Sequence, residues 1–326
     1  MHASGPLRIG SRASALALTQ TNQVADRLRA VGTVVEIETI TTRGDADQQG
    51  PVATLGGDGV FVRELERALL DGRIDVAVHS LKDMPTAETP GLVLACVPER
   101  VTPFDALVGR TAPTLASLPA GAVVGTSSIR RVAQVLALRP DVVVRPVRGN
   151  VDTRLRRLEA GEYDALVLAA AGLERLGLGA RITEVLRPDA FWPAVSQGAL
   201  AVQARADDRR TLAAVAPLDH PASHAAVRAE RACLAALAGG CLAPVGGWAR
   251  MEDGPRLVLG ACVLEVAGDA VRQVVAEGAT RRDEGHEVSA SAAEALGREV
   301  AAGLLARGAA AMLDRMRASE SGPDKR

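Results

Sequence analysis

Apolar and polar positions along this chain switch repeatedly between two periods. Near the start, "LRIG" reads as a short strand, and "ALALTQTNQVADRLRAVG" after it carries apolar residues at helical spacing. "VVEIETITT" is rich in β-branched residues and predicts a strand. "GVFVRELERALLDG" returns to the helical period and stops at a glycine, and "IDVAVHS" is a buried strand. The next section repeats the plan: "AVVG" as strand, "SSIRRVAQVLALRP" as a helix closed by proline, "VVVRPV" as strand, "VDTRLRRLEAG" as helix and "YDALVLAA" as strand. Such alternation predicts mostly parallel sheets covered on both faces.

The two sections also match locally. "LRIGSRAS" and "AVVGTSSIRR" both run from a strand through Gly10 or Gly125 into a helix start bearing Ser and Arg. "LLDGRIDVAVHS" and "LEAGEYDALVLA" share a Gly-x-x-Asp step into a strand. Two related α/β lobes follow from this, with a cleft between them, and ligands of open α/β sheets sit at the carboxyl ends of the strands. The pattern changes after "VSQGALAVQARADD". A helix over roughly "SHAAVRAERACLAALAGG" precedes strands in "WARMEDGPRLVLGACVLEV" and "VRQVVAEGAT", and one amphipathic helix covers "SASAAEALGREVAAGLLARGAAAMLDRM". This third part is an α+β domain of ordinary size.

Composition narrows the class. A chain of 326 residues exceeds one ordinary domain. Aromatics make up 2% of it, so the cores are built from Ala, Val and Leu. A net charge of -1 gives no global field to recruit nucleic acid or a membrane surface, and aromatics for base stacking are scarce. No apolar run reaches membrane-spanning length, and the start "MHASGPLRIGSRAS" lacks a signal-peptide layout. Four cysteines without a CxxC pair fit a reducing cytoplasm better than a disulfide framework or a metal site. The basic residues are almost all arginine, and Lys82 and Lys325 are the only lysines.

Both lobe openings set serines and arginines at a helix N-terminus: Arg12 and Ser14 in one, Ser127, Ser128, Arg130 and Arg131 in the other. Free N–H groups and the helix dipole attract anions there, and arginine adds a planar fork for carboxylates. The alternative is a Ser cap with solvated arginines. Arg148, Arg154 and Arg175 follow in the second lobe, so the ligand implied is anionic with several charged groups. "VAVHSLKDMP" is a second candidate site. Its strand delivers His79, Ser80, Lys82 and Asp83 before Pro85 turns the chain, either as a cleft-facing Asp beside a Lys or as an ordinary surface pair. His79 reads as packed near the sheet. Among the thiols, Cys96 and Cys262 lie in apolar strands and Cys233 on a core-facing helix. Cys241, in "LAGGCLAPVGG", alone occupies a glycine-flanked loop where a thiol is accessible.

In order and spacing these residues resemble one family, porphobilinogen deaminase, also called hydroxymethylbilane synthase. The resemblance runs from "RIGSRASALALTQ" through "HSLKDMPT", "GTSSIRR", "RGNVDTRL", "AAAGLERLG" and "SQGALAVQAR" to "GGCLAPVGGWA". It implies an α/β fold of two periplasmic-binding-protein-like, doubly wound lobes plus a smaller α+β C-terminal domain. Residues 1–99 and 199–217 would form lobe 1, 103–193 lobe 2 and 221–316 the third domain, with 317–326 as a disordered tail. It further implies a monomeric transferase of tetrapyrrole (porphyrin, heme) biosynthesis with a dipyrromethane cofactor, bound to Cys241 by a thioether. Four porphobilinogen molecules would add head to tail, each losing ammonia, before hydrolysis frees hydroxymethylbilane. Asp83 matches the family's catalytic aspartate, a buried carboxylate that would stabilise the cationic azafulvene-like species. Arg12, Ser14, Ser80, Lys82, Ser128, Arg130, Arg131, Arg148, Arg154 and Arg175 match its carboxylate binders, with Ser127, Gln197 and Gly240 as loop or supporting positions.

The chain departs from the family pattern at Asp58 (often Lys), Ser196 (usually Gly), Gln203 (frequently Glu) and Ala238 (commonly Glu). None of these removes the aspartate, the cysteine or the paired arginines. The rival reading is a bilobal anion-binding or ligand-sensing protein without catalysis, which leaves Cys241 and the third domain without a purpose.

Overall fold

A computed structural model describes residues 5–40, 62–237, 244–252, 256–268, 270–280 and 287–320. Three sheets organise it. The first is ordered β2-β1-β3-β10-β4, from β1 (Leu7–Ser11), β2 (Val35–Thr39), β3 (Val76–Ser80), β4 (Leu92–Cys96) and β10 (Leu200–Arg205). The second is ordered β7-β6-β8-β5-β9, from β5 (Asp105–Gly109), β6 (Val123–Gly125), β7 (Val143–Arg145), β8 (Ala165–Ala169) and β9 (Glu184–Leu186). Helices α1 (Ala15–Ala30), α2 (Arg63–Leu70) and α6 (Arg209–Val215) belong to the first; α3 (Ile129–Leu138), α4 (Val151–Glu159) and α5 (Ala170–Arg175) belong to the second. Both faces of each sheet are buried: Ile9, Val76 and Val78 on one side and Ala77 and Ala201 on the other in the first, Leu107, Val124 and Val167 on one side and Leu166 and Leu168 on the other in the second. The architecture is mixed α/β, with two doubly wound sheets and a smaller third unit.

The two sheets share a plan: strands run mostly one way, as expected, but one strand in each is reversed. Three parallel strands on one side of each sheet give way to an antiparallel fourth strand, β10 or β5, and then a fifth. The fourth strand is in each case the first one made after the chain has crossed over from the other lobe. It therefore enters its sheet from the crossover end and runs against its neighbours. Alternating strand and helix patterns cannot reveal that reversal.

The two crossovers touch. Gly198 has φ +88°, and a Cβ there would lie 2.6 Å from the carbonyl oxygen of Val101 and 2.8 Å from that of Thr102. Two residues earlier Ser196 holds φ 62°, a left-handed conformation that explains why glycine is the easier choice at that place.

The third unit packs α7 (Pro221–Ala236) and α8 (Ala290–Leu304) on an antiparallel sheet of β11 (Val245–Glu252), β12 (Arg256–Ala267) and β13 (Ala270–Ala279). The sequence predicts a single last helix. Instead the helix breaks at Leu305–Ala309, where Gly308 takes φ 102°, and resumes as α9 (Ala310–Glu320). The break turns Met312 and Leu313 into the core and lets Arg315 form a two-pronged ion pair with Glu265 of β12, at 2.5 and 2.7 Å. Positions 317–320, expected to be disordered, continue this helix, and Arg317 donates to the Leu237 carbonyl at 3.3 Å. No helix among the described residues is long and apolar enough to cross a membrane.

Candidate active site where three units meet

The carboxyl ends of β1, β3, β6 and β8 carry the sequence candidates, as open α/β sheets require. Beyond β3 the chain makes one 3-10 turn, Leu81–Asp83. The Leu81 N–H donates to the Ala199 carbonyl at 3.1 Å, and Arg231 of α7 donates to the carbonyls of Met84 and Pro85 at 3.2 and 2.6 Å. The turn is thus fixed from lobe 1 and from the third unit together. His79 is buried, with Nε2 3.0 Å from Gln203 Oε1. Burial, and the nearby Arg12, lower its pKa to about 4, so near neutrality it is an uncharged packing residue, as the sequence suggested. Gln20 Nε2 donates to Ser80 Oγ at 2.8 Å. Asp83, expected to be buried, is exposed at the end of the turn. A residue that closes a turn facing the space between two lobes has no packed layer to cover it.

The paired helix starts differ in use. Ser14 caps α1 by accepting the Ala17 N–H at 3.3 Å. Ser128 holds the N-cap position of α3 but makes no side-chain cap bond, leaving those N–H groups open to an anion. Ser127 Oγ donates to the Val147 carbonyl at 2.8 Å and accepts the Val147 N–H at 3.1 Å. It therefore fixes the segment that bears Arg148, which is half-buried. Arg130 and Arg131 are both buried and converge on Asp105, with closest N–O distances of 2.7 and 2.6 Å.

Around that pair gathers a group of cations. Lys82 Nζ donates to Gln197 Oε1 at 3.3 Å, and Gln197 Nε2 donates to Asp105 Oδ1 at 3.1 Å. Burial lowers the Lys82 pKa to about 8, opposed by Asp83 and reinforced by Arg131. Burial and the neighbouring Arg131 lower that of Arg154 to about 10, and its Nε donates to the Gly149 carbonyl at 2.8 Å. Arg175 lies beside the return crossover. Its Nη2 donates to the Gly198 carbonyl at 2.9 Å, while its buried Nε has no hydrogen-bond partner. Burial brings its pKa down to about 10 as well. So the structure brings Lys82, Asp83, Arg130, Arg131, Arg154 and Gln197 into one electrostatic group. Arg12 sits instead by His79, and Arg175 by Glu174 and Arg27. Among the described residues these buried and half-buried cations outnumber the carboxylates beside them, an arrangement that suits an anionic ligand.

Two further residues escaped the sequence reading. Asp105 opens an apolar strand in "PFDALVG", and a charge in such a run needs buried partners. Glu230 lies on the core face of α7 with Ala226, Val227 and Cys233, a helical spacing that marks it as internal. It pairs with Arg100 at 2.6 and 3.2 Å and accepts the N–H groups of Ser196 and Ala249 at 2.5 and 2.7 Å. Cys241 and Gly240, with the departures at Asp58 and Ala238, lie outside the described residues. The other three thiols are buried, and burial pushes each up to about 12, so none is a ready thiolate near neutral pH.

Comparison with known proteins gives the family. The family described as porphobilinogen deaminase, dipyromethane cofactor binding domain, matches residues 7–213, and the porphobilinogen deaminase C-terminal domain matches 224–306. The chain belongs to the porphobilinogen deaminase family. A porphobilinogen deaminase of Roseiflexus castenholzii is 53% identical over 268 residues, 82% of this chain and 88% of that protein. One from a Geobacillus species is 44% identical over 312 residues, 95% of this chain and 96% of the other. A solved structure of the methionine-binding protein MetQ covers 65% of this chain at 16% identity and a TM-score of 0.42, too distant to bear on function. As a porphobilinogen deaminase this chain is a transferase of tetrapyrrole biosynthesis with a dipyrromethane cofactor. The buried cations suit that cofactor, since each of its two pyrroles carries an acetate and a propionate.

Proposed function

We propose that Cys241 carries the dipyrromethane by a thioether, that Asp83 is the catalytic carboxylate, and that Lys82, Arg130, Arg131 and Arg154 receive pyrrole carboxylates, with Arg12, Ser14, Ser80, Ser128, Arg148 and Arg175 completing the binding surface. The cofactor supplies the nucleophilic pyrrole carbon to which porphobilinogen units are joined. The observation that carries the reading is the group of buried and half-buried cations from both lobes, gathered next to Asp83. Lys82 and the arginines bind and orient carboxylates through charge-assisted bonds. Asp83 places a negative charge where the incoming pyrrole becomes cationic as ammonia leaves, and it accepts the proton released when the new bond forms. Its exposure between the lobes suits a group that must meet several substrates in turn. The same reading takes the chain as a monomer, and the buried thiols suit a reducing cytoplasm.

Intact mass under denaturing conditions tests the assignment of Cys241. The wild type should weigh more than its sequence by two linked pyrrole units, and Cys241→Ser should not. An equal gain in both proteins would place the cofactor elsewhere.

A pH profile tests Lys82. Its ammonium is the binding form, and it is lost as pH rises through about 8, so kcat/KM should fall on the alkaline side from about that pH. Bound carboxylates favour the ammonium, so the same limb in kcat should appear at higher pH. In Lys82→Arg, whose guanidinium stays charged, the limb in kcat/KM should disappear. A limb unchanged by Lys82→Arg would assign it to another group.

A further inference from the structure

Asp105 lies beneath the arginines that the proposed function assigns to pyrrole carboxylates. Its backbone is fixed from both sides, paired with Ala169 of β8 and Leu186 of β9. The carboxylate is fully buried and accepts Arg130 Nη1 at 2.7 Å, Arg131 Nε and Nη2 at 2.9 and 2.6 Å, and Gln197 Nε2 at 3.1 Å. Burial alone would raise its pKa, but the two guanidiniums outweigh that and hold the carboxyl well below the usual range. Successive helical residues project about 100° apart, so adjacent arginines converge only when something draws them together. Asp105 does so. It also reaches across to lobe 1, because the Oε1 of the same Gln197 accepts from Lys82 Nζ at 3.3 Å and from Arg131 Nη2 at 3.4 Å.

The remaining valences show what this leaves for a ligand. The Nε, Nη1 and Nη2 of Arg131 all donate to protein acceptors, Nη1 to the Val167 carbonyl at 3.1 Å. Arg130 donates through Nη1 alone, to Asp105 and the Trp192 carbonyl, and among the described residues its other edge makes no hydrogen bond. Two guanidiniums against one carboxylate leave a single net positive charge.

We propose that Asp105 is a positioning residue for the transfer reaction: it presets Arg130, Arg131 and, through Gln197, Lys82, and it neutralises enough of their charge that a growing chain of carboxylates is oriented without being trapped. This rests on those cations being carboxylate binders. Orientation is expressed in kcat, whereas net charge is expressed in binding, so the two effects separate.

The test is Asp105→Asn, with turnover normalised to molecules that carry the tethered cofactor by mass. We expect kcat per loaded molecule to fall at least about tenfold, with KM unchanged or lower because the site has gained a positive charge. A role in folding alone would lower the loaded fraction and leave kcat per loaded molecule intact, and that result would overturn the proposal. So would a raised KM at unchanged kcat. Should Asp105→Asn fail to fold, Gln197→Met breaks the link to Lys82 without altering charge. There we expect kcat to fall about threefold or more at unchanged KM, and an unaltered kcat would overturn the proposal equally. The wild-type control separates the two readings. Without a tethered cofactor in wild type the carboxylate-binding assignment itself fails, whereas a loaded, active wild type beside unimpaired variants removes only the role of Asp105.

Discussion

Replacing Asp83 with alanine should leave the protein folded and reduce turnover on the order of 10²–10³-fold, the usual cost of removing a preorganised charge from a transition state. Folding should survive because the turn is held by other groups: the Leu81 N–H on Ala199, the Met84 N–H on Leu81, and Arg231 on Met84 and Pro85. The Asp83 side chain is exposed, and substitutions at such places change stability by no more than about 0.5 kcal/mol. Turnover should collapse because, of the two carboxylates whose charge reaches both Lys82 and Arg131 among the described residues, Asp105 is already engaged by the arginines and Gln197, which leaves Asp83. Asp83→Asn keeps the shape and removes the charge, so it should be nearly as impaired as alanine. Steady-state rates with porphobilinogen and a thermal unfolding curve for each variant make the comparison. Near-normal turnover in either would falsify the catalytic assignment.

The largest effect on stability is expected at Glu230. This carboxylate is fully buried and serves three segments at once: Arg100 of the outgoing crossover, Ser196 of the return crossover and Ala249 of β11. Glu230→Ala would leave the Arg100 guanidinium, 8% exposed, without its counter-charge and would orphan two N–H groups. Breaking a buried pair from one side costs about 3–5 kcal/mol. Urea denaturation should show a loss of that size, and Glu230→Gln, which still offers one acceptor, should lose less. A loss below about 1 kcal/mol for alanine would mean that Arg100 finds solvent or another partner, and that the crossovers are held by their own backbone contacts instead.

How legible was all this in the sequence? The lobes were, because strand and helix periods alternate cleanly over residues 7–175. The grouping of Lys82, Asp83, Arg130, Arg131 and Arg154 was as well, since Ser, Arg, Lys and Asp cluster at strand ends where the backbone already favours anions. Antiparallel entry of β5 and β10 was hidden, because pairing direction depends on where the chain crosses between lobes and leaves no mark on hydrophobic period. Asp105 and Glu230 were passed over for a related reason. A lone acidic residue in an apolar stretch declares that it has partners but not which, and their charged partners lie 25 or more residues away, Arg130 for one and Arg100 for the other. The break at Gly308 was missed because a single glycine in an amphipathic helix is usually absorbed at a cost of about 1 kcal/mol. Here the turn it permits brings Met312 and Leu313 into the core.

The double crossover also sets an order in time. Every strand of the second lobe lies between Asp105 and Leu186, so that sheet can close as soon as its own stretch has been synthesised. The first lobe cannot. Its β10 sits between β3 and β4, with Ala201 opposite His79, and emerges from the ribosome only after the whole second lobe. Until then β3 and β4 present bare edges to the cell, the kind of surface that recruits unwanted partners. The lobe encoded second is therefore the first whose sheet has all its strands available, and the amino-terminal sheet is complete only with a strand made after its neighbour.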